Sequence, residues 1–119
     1  MKYHAKSIKH ALEGLHWAFK TQPNFRVHII LSIFSIIAGI ICMIAYEEWL
    51  IVGMFIMMGF VIETINTAIE QLGDAIDKDY NIIIKRAKDL GAGAMFIVAI
   101  GASITAAIIF LPKILVILS

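Results

Sequence analysis

Charge and cysteine are both scarce in this chain. Only 16% of its 119 residues are Asp, Glu, Lys or Arg, and the formal net charge is +1. Nothing in that balance argues for a nucleic-acid partner, which would call for a clustered excess of cations. The single cysteine, Cys42, lies in an apolar run, so neither a disulfide framework nor a cysteine metal site is readable. No G-x-x-x-x-G-K-[ST] loop occurs, which excludes a conventional nucleotide fold of that type. The "GAGA" at residues 91 to 94 has the wrong spacing for a phosphate cradle and reads as packing. Internal repeats and low-complexity tails are also missing.

What abounds is apolar sequence. Hydrophobic residues make up 61% of the chain, against about 45–50% in soluble domains. The length fits one domain, residues 1–119. Three segments are long enough to cross a bilayer, which takes about 20 mostly apolar residues. They are Val27 to Tyr46, Trp49 to Ile69 and Leu90 to Leu111. Helices are expected, because a lone segment in lipid must satisfy its own backbone groups. A cleaved signal peptide is not, since the first apolar run starts late and continues for a full span.

Residues 2 to 20 have a different pattern. Lys2, Lys6, Lys9, Glu13, His16 and Lys20 recur at three- and four-residue steps, and Ile8, Leu12, Leu15 and Phe19 do so on another face. The spacing predicts an amphipathic helix lying on the membrane surface or packed on a partner. Pro23 ends it. The fold class expected is therefore an all-α membrane protein, one surface helix plus three transmembrane helices. Lys and Arg cluster before span one and between spans two and three. That places the N-terminus and the second loop in the cytoplasm and the C-terminus outside. The link between spans one and two is read at Glu47–Glu48, making a tight hairpin. "DKDYN", residues 77 to 81, has turn character. Gly91 to Ala94 and Gly101 to Ser103 are small enough for close helix approach.

Against this apolar background stands "VIETINTAIEQLGD", residues 61 to 74. Glu63, Asn66, Glu70, Asp74 and Asp77 are spaced by three, four, four and three, which on a continuing helix forms one polar stripe. An ionisable group inside a span is costly and marks function by default. Glu63 can serve as a general base, or as a transport carboxylate in a small proton or cation transporter. Glu70 and Asp74, nearer water, can hold a hard cation through oxygen. Asn66 can equally be interhelical glue, and the acids near residue 77 a solvated helix end. On that third reading the chain is a passive membrane interaction module. Lys88 and Asp89 come just before span three, on the same membrane face as Glu70. Lysine is a point-charge partner for phosphate, whereas Lys85 and Arg86 are read as topology determinants.

"ETINTAIEQLGD", residues 63 to 74, closely resembles the signature of the prokaryotic diacylglycerol kinase family. "RAKDLGAGA" at 86 to 94 resembles its second block, and "EGLHWAFKTQPNFR" at 13 to 26 its amphipathic leading segment. The resemblance implies a small homotrimeric membrane kinase with sites shared between neighbours, moving the γ-phosphate of ATP to a lipid hydroxyl. It implies Glu63 as general base and Glu70 as a magnesium ligand. It further implies Asn66, Asp74, Lys88 and Asp89 near the phosphates, and Asp79, Tyr80 and Asn81 by the outer part of the nucleotide. The family usually has Glu where this chain has Gln22, a second magnesium ligand. Gln keeps a carbonyl oxygen but lacks the charge, which weakens metal binding or leaves it to Glu70, phosphates and water. Family members phosphorylate either diacylglycerol or, in many Gram-positive bacteria, undecaprenol. "NFRVH" at 24 to 28 and "FLPK" at 110 to 113 look like the second branch.

Overall fold

A computed structural model describes residues 2–119 as four helices and no strand. The Lys2 side chain, expected on the polar face of the first helix, lies outside the described residues. Helix α1 spans Lys2–Thr21. Gln22 then adopts an extended backbone, with φ −101° and ψ 112°, and Pro23 opens α2, Pro23–Ile41. One proline explains both events. It forces the residue before it out of the helical region, and its fixed φ and missing N–H suit a first helical turn. The helix of span one accordingly starts four residues before the apolar run. Arg26 ties the junction together, donating from Nη2 to the carbonyl of Lys20 at 2.7 Å and so capping the last turn of α1.

The α2–α3 hairpin corrects one expectation. Its link is residues 42 to 45, and α3 runs Tyr46–Ile76. Glu47 and Glu48 are thus in the first turn of α3 rather than in the link. Two effects place them there. Carboxylates are favoured at a helix N-terminus by the dipole, and Glu48 Oε2 accepts the free N–H of Ala45 at 2.7 Å. The other oxygen of Glu48 accepts from Lys113 of the last helix at 2.6 Å. In the link itself Met43 is left-handed, with φ 46°. Ile44 N–H returns to the carbonyl of Gly39 at 3.2 Å, closing the end of α2.

Residues 77 to 81 form the second link, as the turn-rich composition predicts, and α4 runs Ile82–Leu118 without a break. α3 and α4 have 31 and 37 residues. At 1.5 Å per residue they are about 46 and 55 Å long, well beyond a hydrocarbon core of about 30 Å. α3 is the hub, packing against each of the other three helices. Gly101 meets Phe55 and Gly91 meets Asn66, so the small residues of α4 do admit close approach at those points. Gly93 faces open space. The core is thin: Ile44, Val52 and Ile109 with a few partly buried neighbours. Most large apolar side chains point outward, Phe34, Phe96 and Ile108 among them. α2, α3 and α4 are each long and apolar enough to cross a membrane, and outward apolar side chains are what lipid requires. On α1, too, Ile8, Leu12, Leu15 and Phe19 are exposed.

Candidate active site

α3 carries its polar residues where the chain changes character. Every residue from Trp49 to Ile62 is apolar or glycine, and Glu63 follows. Glu63 is only 2% exposed, the most buried large side chain described. Thr67, one turn on, donates from Oγ1 to Glu63 Oε1 at 3.4 Å. The other oxygen, Oε2, is buried and has no hydrogen-bond partner. The basic group nearest it is His28 of α2, whose Nε2 lies 3.7 Å away. A buried acceptor without a donor is destabilising, and natural proteins keep such groups where they serve a function. An apolar cavity of about 240 Å³ lies between α2, α3 and α4; His28 and Gly59 line it, as do Ile109 and Phe110, and Glu63 lies behind His28 outside its lining.

Asn66 and Glu70 continue the same face. Asn66 is buried, and its Nδ2 donates to Glu70 Oε1 at 3.4 Å. Its Oδ1 is buried with no partner. Gly91 of α4 rests directly against that oxygen, where a Cβ would collide with it. The first glycine of "GAGA" is therefore packing, as the sequence indicates, but packing against a site residue. Gly73 of α3 does similar service about two turns beyond Asn66. A Cβ there would lie 3.0 Å from Lys88 Cε, so the lysine stem crosses α3 at this glycine. Its ammonium then donates to Asp74 Oδ1. A partly exposed pair of this kind adds little stability, but it fixes where the charge sits.

The remaining candidates are not drawn into the cluster. Asp89 bonds to Lys85 along α4 at 2.6 Å. Asp77 has an extended backbone and lies one residue past the end of α3, so the helical stripe stops at Asp74 and not at Asp77. In the link, Asp79 N–H donates to Asp77 Oδ1 at 2.9 Å, a local turn. Tyr80 is 79% exposed. Asn81 caps α4, accepting from the N–H groups of Ile83 and Ile84 at 3.0 and 3.3 Å. Gln22 sits at the α1–α2 junction and donates from Nε2 to Thr21 Oγ1 at 3.1 Å. Among the described residues, no three His, Cys, Asp or Glu side chains gather as a metal site.

Two contributors went unread in the sequence. His28 is read in the sequence only within "NFRVH", and Thr67 only within the quoted signature, neither with a role. The signal for His28 was topological: a short hairpin link brings the start of α2 beside the end of α3, and so brings its one imidazole towards the one carboxylate inside span two.

Comparison with known proteins fixes the activity class. The family model of prokaryotic diacylglycerol kinase matches residues 9–110. The chain belongs to that family. It is 35% identical to the undecaprenol kinase of Bacillus subtilis over 91% of this chain and 88% of that one. Its identity to two diacylglycerol kinases is 31% in each case. One, from Synechocystis, is matched over 92% of this chain and 63% of its own length. The other, from Escherichia coli, is matched over 84% and 82% respectively. As a prokaryotic diacylglycerol kinase family member, the protein is a lipid kinase of a bacterial membrane and takes ATP as its phosphoryl donor. That decides between the kinase and the transporter as activity classes. Diacylglycerol and undecaprenol both occur among relatives at similar identity, so the family alone leaves the acceptor undivided.

Proposed function

We propose that this kinase phosphorylates undecaprenol, with Glu63 as general base and magnesium-ATP held near Glu70. The observation carrying the reading is the free, buried Oε2 of Glu63. It is an acceptor with no hydrogen-bond partner among the described residues, on the polar face of α3 and beside His28, which lines an apolar cavity. The acceptor alcohol approaches from lipid and ATP from water. The alcohol oxygen forms a bond to the γ-phosphorus, the bond from that phosphorus to the bridging oxygen of ADP breaks, and Oε2 takes the hydroxyl proton. Phosphoryl transfer asks mainly for positioning and charge neutralisation, so a few side chains suffice without a nucleotide fold. Lys88, held by Asp74, offers a cation to the phosphates, with Asn66 and Asp89 near them. Asp79, Tyr80 and Asn81 are assigned to the outer part of the nucleotide.

Glu70 and Gln22 are the proposed magnesium ligands. Glu70 spends one oxygen on Asn66 and has a second that makes no hydrogen bond among the described residues. Gln22 offers a neutral amide oxygen. That hard but sparse set fits magnesium, which commonly relies on one or two carboxylates together with substrate phosphates and water. When bound, the ion would neutralise phosphate charge.

Undecaprenol is preferred over diacylglycerol because identity to the undecaprenol kinase is 35%, against 31% for the two diacylglycerol kinases, and because "NFRVH" and "FLPK" look like the undecaprenol branch. The same reading takes the chain as one domain that forms a homotrimer with shared sites, supported by its thin core and outward apolar surface. It sets the N-terminus and the residue 77–81 link in the cytoplasm, supported by the bases of α1 and of the start of α4. The test is transfer from radiolabelled ATP by purified protein, offered undecaprenol or diacylglycerol in mixed micelles. Labelled undecaprenyl phosphate should form with the higher kcat/KM. Preferential labelling of phosphatidic acid would reverse the substrate assignment.

A further inference from the structure

We propose that His28 is a positioning residue for the general base, its Nε2–H orienting the Glu63 carboxylate beside the apolar cavity that His28 lines. The inference rests on the reading of Glu63 given above and extends it to a residue on another helix.

Three observations carry it. First, Glu63 Oε1 is held by Thr67, whereas Oε2 has only His28 near it, at 3.7 Å. Without His28, nothing described on the protein orients the oxygen that must take the proton. Second, the imidazole is packed on two sides. A Cβ on Gly59 would lie 3.1 Å from its Nδ1 and 3.3 Å from its Cε1, so this edge lies close on the α3 backbone. Phe60 lies beside the ring, centroids 5.9 Å apart, and Phe60 leans in turn on Phe25 at the same centroid separation. Packing of this kind limits the ring's rotation with Nε2 aimed at Glu63. Third, the ring lines the apolar cavity together with Gly59. It stands where the apolar part of an acceptor would end and its hydroxyl begin.

The tautomer follows from the partners. An ionised carboxylate only accepts, so the nitrogen facing Oε2 carries the hydrogen. Nδ1, packed against Gly59, makes no hydrogen bond among the described residues and does not need one. The 3.7 Å separation is longer than a hydrogen bond by about 0.8 Å. Catalytic hydrogen bonds are often long before substrate binds and tighten in the reacting complex. His28 therefore acts through Glu63. It fixes the direction of the free lone pair as the reacting complex forms.

Two substitutions of similar volume separate this role from mere filling: His28→Leu keeps bulk without a donor, and His28→Gln restores one. Steady-state and single-turnover transfer are measured for both, alone and combined with Glu63→Gln. His28→Leu should lower kcat roughly tenfold to a hundredfold, the scale of a misplaced catalytic group, with KM for ATP changed less than about twofold, as expected when only reacting-state geometry is lost. His28→Gln should recover most of the rate. In the Glu63→Gln background, His28→Leu should cause no further loss, because a residue that acts only through Glu63 has nothing left to position. Equal rates for the Leu and Gln variants, or the same fractional loss in both backgrounds, would overturn the proposal. Should His28→Leu fail to assemble in detergent, His28→Met, also of similar volume and without a donor, replaces it with the same expectations. The arms also keep the two readings apart. If Glu63→Gln alone turns over normally, the base assignment fails. If it is inactive while His28→Leu is normal, only the role of His28 fails.

Discussion

Residue by residue, the site differs from a soluble kinase site in how little it contains. Glu63 has one oxygen held and one free, and the proposed chemistry needs no more of it than that. Glu63→Gln keeps the shape and the contact to Thr67 but cannot take a proton. It should lower the rate by roughly 10²–10⁴, the usual range for a lost general base, while detergent-solubilised protein elutes as before. Near-normal turnover at saturating ATP would remove Glu63 from that role. Gln22 is the complementary case. It lies at the helix junction with its amide nitrogen on Thr21 and no charge to offer a metal. Gln22→Glu adds a charged hard ligand, so the magnesium concentration for half-maximal activity should fall, with turnover equal or higher. Superimposable magnesium titrations for the two proteins would place residue 22 outside the metal's coordination shell.

At the scale of the element, what could be read in advance follows from which forces are local. Helix identity and the α1–α2 break were legible, because apolar length and the geometry around Pro23 act within a few residues. The polar stripe was legible for the same reason: spacing alone sets Glu63, Asn66, Glu70 and Asp74 on one face of α3. Its end was not, since Asp77 leaves the helix at a backbone change that spacing does not encode. The hairpin link was misplaced because Glu47 and Glu48 look like loop residues. What draws them into α3 is a backbone N–H at Ala45 and, 65 residues along the chain, Lys113. Nor does sequence spacing pair His28 with Glu63, or Gly91 with Asn66, because those contacts exist only once helices pack. The link also holds strain that can be tested. Met43 is left-handed with a side chain 86% exposed, a conformation costing a non-glycine residue about 1–2 kcal/mol. Met43→Gly removes that cost and loses part of it again to unfolded-state entropy. It should stabilise the protein by about 0.5–1 kcal/mol, read as a shifted midpoint of denaturation by SDS, with kinase activity unchanged. A lowered midpoint would mean that the Met43 side chain makes stabilising contacts in the micelle.

The whole molecule buries few side chains and presents most of its apolar surface outward, so its surroundings complete the structure. Lipid, and on the reading above two further copies of the chain, take the place of a core. This gives weight to a plain feature of α3: Glu63 and Glu70 are on one unbroken helix. Seven residues of rise separate them by about 10 Å along the axis. That makes α3 a ruler. Its two marks cannot slide relative to each other, so the enzyme has no internal adjustment if the membrane surface moves up or down the helix. A bilayer too thin would lift Glu63 towards water and away from the alcohol, and one too thick would draw Glu70 below the level of the nucleotide. Tilt can compensate only in part. In vesicles made from phosphatidylcholines of graded acyl length, at fixed acceptor content, specific activity should pass through a maximum at intermediate thickness and fall on both sides. A flat profile would mean that the helix rides freely through the surface, and that membrane depth does not set the register between the two substrates.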